Sequence, residues 1–194
     1  MVCSVLIDSA TGQPRGPVGP QPGEEPALIR SMAGTWSVRQ RMWAGVDAPA
    51  TDLPPAIARR RLLRGGFLEE VMELAPRASQ EPFTRVAYFH FNAVTRRYEY
   101  VSLDSRAPQL MTEKSDAETG ATAPNEAREI RLDGDVFLAP RWGDATNVRF
   151  RYRLTIGEIV RNRQVVRLYF TPQAGGGKEF LAFEYVYSRQ TAPG

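Results

Sequence analysis

A single cysteine, Cys3, and a single histidine, His90, are all the thiol and imidazole this 194-residue chain contains. One cysteine excludes an intrachain disulfide, which fits a reducing compartment, and the expected location is cytoplasmic. One cysteine with one histidine excludes the Cys/His zinc sites, so no metal ligand set is expected. A Cys–His nucleophilic pair is argued against by position, because Cys3 falls in a segment with the composition of a tail. No run of about 18 apolar residues occurs, so no membrane-spanning helix is expected. A basic region leading into an apolar stretch is also missing at the start. Val2–Ile7 is broken by Ser4 and followed by Asp8, so no secretory signal is read there. Nucleotide chemistry has no motif to stand on. Gly175-Gly176-Gly177-Lys178 falls between strands with no helix after it, and there is no Gly-x-Ser-x-Gly elbow. Net charge is only +3, from 25 basic and 22 acidic residues. The arginines are scattered rather than gathered in a stripe, which argues against a nucleic-acid partner. The densest group, Arg59-Arg60-Arg61 with Arg64, reads as a solvated strand face, with an anionic ligand or partner as the alternative.

What is present is alternation. Residues 1–23 are punctuated by Gly12, Pro14, Gly16, Pro17, Gly19, Pro20, Pro22 and Gly23, and read as a flexible arm. A domain over 24–190 follows. Pro26 opens a short helix behind Glu24 and Glu25; Leu28, Ile29 and Met32 give it an apolar side, and Gly34 stops it. Beyond Gly34 the period becomes two. Val148, Phe150, Tyr152 and Leu154 alternate with Arg149, Arg151 and Arg153. Trp36, Val38 and Met42 share a face with Gln40; Leu68, Met72 and Leu74 share one with Glu70. Further strands are read at 57–63, 84–91, 98–104, 109–114, 127–132, 164–171 and 179–189, giving about ten in all. Asn92–Arg97, Asp133–Gly134 and Gly175–Gly177 read as turns, and 115–126 as a mobile polar loop. The expected fold class is all-β: a single antiparallel up-and-down barrel, which removes exposed edges by closing on itself. A barrel of this strand number has room for a cavity.

Short motifs in a fixed order carry a family resemblance. Met32-Ala33-Gly34-Thr35-Trp36 is similar to the Gly-x-Trp opening of lipocalins and their relatives. Leu63-Arg64-Gly65-Gly66-Phe67-Leu68, the stretch from Phe83 to His90-Phe91-Asn92, Tyr98 with Asp104-Ser105, and the closing Tyr187-Ser188-Arg189 together resemble the bacterial domain-of-unknown-function family 1579. The resemblance spans residues 26–189 and implies a lipocalin-like, calycin barrel. Two positions depart from the pattern: His90 stands where the family usually has glycine, and Ser102 where it often has tryptophan. In barrels of this kind a Trp and an Arg from the first and last strands close one end, which implies that Trp36 packs on Arg189. The family is similar to the nitrobindins, which bind haem through a histidine near their C-terminus. Nothing here matches that histidine, so haem is the weaker alternative and no cofactor is expected.

The candidate chemistry is sparse. His90, in Tyr88-Phe89-His90-Phe91, carries the one imidazole of the chain and serves as a base if it points inward. Glu70 among Leu68, Met72 and Leu74 is a buried carboxylate if that face is the interior. Its pKa then rises, unless an arginine such as Arg60 pairs with it. Tyr98, Tyr100, Ser102 and Asp104 share one face of a strand. Three readings follow. In the first, the barrel binds a small, largely apolar molecule in a hydrophobic cavity lined by Trp36, Gln40, Met42, Met72, Tyr88, Tyr100, Phe150 and Tyr152. In the second, the same cavity houses a cofactor-independent cyclase or isomerase, with Glu70, His90 or Asp104 as its acid or base. In the third, side chains fill the interior and the chain is an interaction module. A homodimer stays open in all three.

Overall fold

The structure, a computed structural model, describes residues 27–76, 81–116, 129–160 and 162–190. The arm expected over 1–23 and most of the loop expected over 115–126 lie outside the described residues.

Helix α1 (Ala27–Ser31) buries Leu28 and Ile29 against one end of a sheet. Ten strands follow: β1 (Gly34–Met42), β2 (Thr51–Leu63), β3 (Phe67–Leu74), β4 (Thr84–Asn92), β5 (Arg97–Asp104), β6 (Ala107–Lys114), β7 (Glu129–Trp142), β8 (Ala145–Val160), β9 (Arg163–Pro172) and β10 (Phe180–Arg189). Each pairs antiparallel with its neighbour in sequence, and β1 pairs with β10, so the meander closes into a barrel. The closing register runs from Trp36 opposite Arg189 to Met42 opposite Phe183. The alternating stripes seen in the sequence point as expected: Trp36, Val38 and Gln40 are buried on β1, and Phe150, Tyr152 and Leu154 on β8.

Trp36 and Arg189 meet at the α1 end. The Arg189 guanidinium lies 4.3 Å over the indole. It donates to the carbonyl of Ala33 at 2.6 Å and to that of Ser31, while the Trp36 indole N–H donates to the Met32 carbonyl at 3.0 Å. These bonds satisfy the carbonyls that a helix leaves free at its C-terminus. Gly34, at φ 128°, makes this approach possible: a Cβ there would stand 2.5 Å from an Arg189 nitrogen.

Two expectations need correcting. The strand expected over 57–63 is longer: β2 begins at Thr51 and runs through Pro54-Pro55. The register between β1 and β2 shifts between Val38 and Gln40, and the Gln40 amide donates to the Pro54 carbonyl at 2.7 Å. Proline is tolerated in a sheet at such a bulge. Asp133–Gly134 is not a turn. It is an irregularity inside β7, whose register with β8 shifts between Asp133 and Val136, and the chain reverses instead at Gly143 and Asp144.

The ladder is uneven. β7 and β8 are paired from Glu129 opposite Gly157 to Trp142 opposite Ala145. β6 and β7 share only the pairs Glu113–Gly134 and Lys114–Asp133. Beyond them the Gln109 amide donates to the Leu138 carbonyl at 2.8 Å, and the Tyr152 hydroxyl reaches the Thr112 carbonyl at 3.1 Å.

Candidate functional site

The interior divides into two halves. Away from α1 it is aromatic: Phe137, Trp142, Phe150, Phe170, Phe180 and Phe183 form one cluster, with Trp142 lying 5.2 Å from Phe170 and 5.6 Å from Phe150 between ring centroids. Nearer α1 it is charged. Arg60 on β2, Glu70 on β3 and Arg85 on β4 point inward at 8, 5 and 5% exposure.

Glu70 is the hub. One carboxylate oxygen accepts the Arg60 Nε–H at 2.7 Å; the other accepts the Arg85 Nη1–H at 2.9 Å and the Tyr187 hydroxyl at 3.3 Å. Arg60 also donates to the Gln164 side-chain oxygen, and its guanidinium lies 4.1 Å from the Tyr187 ring centroid. Arg85 donates to the Tyr100 hydroxyl. Burial alone raises a carboxyl pKa, and here it is the largest influence on Glu70. The two guanidinium charges and their hydrogen bonds outweigh it, so the pKa is lowered rather than raised. This reverses the rise expected for a buried Glu70 and realises the pairing with Arg60. Arg85 is a second partner that sequence reading did not anticipate.

The cluster continues to β6. Tyr100 stands opposite Glu113 across the β5–β6 ladder, and Glu113 is 2% exposed with its Oε2 unpartnered among the described residues. Burial pushes its carboxyl up to about 8, although Arg85 and the neighbouring Tyr152 pull the other way. Burial also raises the Tyr100 and Tyr152 hydroxyls, so both stay protonated. The chemistry available is therefore two fixed cations, one fixed anion and one neutral carboxylic acid.

A cavity of about 20 Å³ opens beside this cluster, bounded by Arg60, Glu70, Tyr100, Gln164 and Tyr187, with Met32, just after α1, and Phe89 among its apolar walls. That is room for about one water molecule. A small residue makes the space: Ala87 lies opposite Glu70 in register on β4.

Among the described residues, the cavity beside Glu70 is not lined by Trp36, Met42, Met72, Phe150 or Tyr152. Trp36, Met72, Phe150 and Tyr152 are packed into the core, and Met42, at the end of β1, is half-buried. Gln40 is buried at the β1–β2 bulge. Of the expected lining only Tyr100 reaches the cavity, together with Glu70. Tyr88 and His90 are on the outer face, because Arg85, Ala87 and Phe89 take the inner one. His90 Nε2 pairs with Glu99 at 2.9 Å and its ring lies against Phe67, so it meets neither a ligand nor a haem inside the barrel. Asp104 is on the inner register but is held by Arg106 at 2.6 and 2.9 Å, which keeps its carboxyl lowered although burial opposes this. Arg85, Glu113, Gln164 and Tyr187 are the members of the site that sequence reasoning missed.

A model of the family described as "Protein of unknown function (DUF1579)" matches residues 21–189. No curated protein matches the chain. Among solved structures, an S-type phycobiliprotein lyase from Guillardia theta is similar at a TM-score of 0.50 and 9% identity, covering 86% of this chain and 93% of that one. At that identity the likeness shows a common fold and nothing further.

Proposed function

The chain belongs to this family of proteins of unknown function, and we propose that its barrel binds a small, largely apolar molecule whose polar end docks on Arg60, Glu70 and Arg85. The observation that carries the reading is the buried cluster itself. A barrel needs no charge inside to close, and removing three charged groups from water costs several kcal/mol for each before their attraction is counted. A perturbed, buried charge cluster beside a cavity is where binding and catalytic sites are found. Met32, Leu68, Phe89, Ile156 and Val166 around the cavity supply apolar surface for the rest of the ligand. The cavity is water-sized, so the ligand makes room by displacing Met32, which lines it and directly follows the single-turn α1. The fold is shared with a phycobiliprotein lyase, which is compatible with work on a small molecule.

Native mass spectrometry of freshly purified protein, with an absorption spectrum, tests this. A mass increment that disappears on denaturation and is missing from Arg85→Gln supports it. A bare mass, with no change in tryptophan fluorescence on adding octanoate or octanol, counts against it.

Glu113 favours a second reading, the cofactor-independent enzyme. A buried carboxyl that stays protonated to about 8 is suited to donate a proton to a carbonyl in cyclisation or isomerisation. This moves the acid from Glu70, His90 or Asp104 to Glu113. Turnover abolished in Glu113→Gln with ligand affinity retained supports it; unchanged turnover rejects it.

A further inference from the structure

The buried charges do not cancel. Arginine stays protonated at any working pH, and Glu70 is ionised because its two partners lower its pKa. Arg60, Glu70 and Arg85 therefore carry two positive charges against one negative. The next acidic group inside the barrel is Glu113. It is faced by Tyr100 from β5, Arg85 from β4 and Tyr152 from β8, with Gly134 opposite it on β7; the exposed Asp135 that follows on β7 acts on Tyr152. None of the groups that act on Glu113 directly is an anion, and Glu113 is neutral below about pH 8. Asp104 stands in register with Arg85 across β4 and β5 and feels its charge, but it is paired with Arg106 at 2.6 Å, so the two together add no net charge. The cluster is thus one negative charge short in a setting where an uncompensated charge is costly.

We infer that the polar end of the ligand is an anion, most simply a carboxylate, which completes the charge of Arg60, Glu70 and Arg85 and competes with Glu113 for that role. The inference rests on the binding reading and names the class of ligand. Its geometry is the water-sized space bounded by Arg60, Glu70, Tyr100 and Gln164, left open because the residue opposite Glu70 on β4 is the small Ala87. An anionic oxygen seated there meets the Arg60 guanidinium and Tyr100 directly, and Arg85 stands behind Tyr100, whose hydroxyl it already holds. When Glu113 loses its proton it becomes the missing counter-charge, and the ligand loses its advantage. Anion binding and proton binding at Glu113 are therefore coupled: each favours the other.

Octanoate and octanol, which share a tail and differ in charge, are titrated into the full chain and followed by calorimetry and tryptophan fluorescence. Octanoate is expected to bind about tenfold or more tightly than octanol at about pH 6.5, and to lose about tenfold by about pH 9.5. Octanol affinity should not change with pH. Glu113→Gln, which keeps the shape of the neutral acid, should abolish the pH dependence, and Arg85→Gln should abolish the preference for octanoate. Equal binding of the two amphiphiles at both pH values overturns the anion inference and leaves the binding reading standing. If neither amphiphile binds, the binding reading fails and the inference fails with it. The comparison within the wild-type chain decides the matter even if a variant does not fold.

Discussion

The ring of Tyr152 occupies the place where a Cβ on Gly134 would stand, with ring atoms 2.2–2.6 Å from that point. Tyr152 crosses beneath β7 where β7 has no side chain, and its hydroxyl reaches the Thr112 carbonyl on β6. An aromatic ring from β8 thus ties together two strands that share only two register pairs. Gly134→Ala should force the ring aside and destabilise the fold by about 1–3 kcal/mol, the range for overpacking a core. Tyr152→Phe, which keeps the ring and loses the hydroxyl, should cost about 1 kcal/mol. Denaturant titration of both variants measures the difference; a neutral Gly134→Ala would show that the ring is not confined.

Glu70→Gln leaves two buried guanidinium groups without their carboxylate and should cost about 3–5 kcal/mol. The exposed pair Arg59–Glu73, at 2.9 Å on the outer face of the same two strands, is the control. Glu73→Gln should cost no more than about 1 kcal/mol. Equal effects in thermal unfolding would contradict the central place given to Glu70.

The pH dependence follows from Glu113. Its carboxyl is raised from 4.5 to about 8 on folding. Between those values the folded chain holds a proton that the unfolded chain has released. The contribution of this group is complete below about 4.5 and declines as pH rises towards about 8. Glu70 and Asp104 are lowered, so their contributions are lost only as pH falls below the ordinary carboxylate range. Stability of the wild type should therefore be lower at about pH 8.5 than at about pH 5.5, and Glu113→Gln should flatten that difference. Denaturation midpoints at the two pH values test this; an unchanged slope in the variant would show that Glu113 is not the group responsible.

Arg189→Met keeps the stem of the side chain and removes the donors that hold the Ser31 and Ala33 carbonyls. Amide exchange should quicken over α1 and the first residues of β1, with the β8–β9 core unaffected. Uniform quickening throughout the barrel would mean that Arg189 supports the whole closure rather than the helix.

His90→Gln should leave the binding of any interior ligand unchanged, because His90 lies outside with Glu99 and Phe67. Loss of octanoate affinity in this variant would contradict the register of β4.

Most of the barrel was legible because polar and apolar residues alternate cleanly where one face is wet. Val148, Phe150, Tyr152 and Leu154 against three arginines admit a single register. Glu70 was legible for the same reason, as a charge in an apolar stripe. The rest was hidden where both faces look alike. In Tyr88-Phe89-His90-Phe91 four rings succeed one another, and alternation cannot say which pair is inside. Arg85 sits beside Val86, an apolar residue on the outer side, so its strand reads inverted. Glu113 follows Met111 on the inner face, but Leu110, 71% exposed on the outer face, is the stronger apolar signal. A shift of one residue exchanges the faces, and the charged half of the interior fell on the strands where that shift was undetermined. Gly134 read as a turn because glycine after aspartate usually is one. Here the missing side chain serves a ring arriving from a strand that local sequence does not identify.

Since β1 closes onto β10, the hydrogen-bonded ladder is a ring and has no first strand. Every other neighbour pair is a hairpin, so no strand has to be threaded between two others. The place where the covalent chain is cut is independent of the ladder. A circularly permuted chain, opened in the connection between β6 and β7 and joined from β10 to α1 by a short linker, would preserve every strand pair described here. Its two new ends would fall beside the pairing that is already the shortest in the ring.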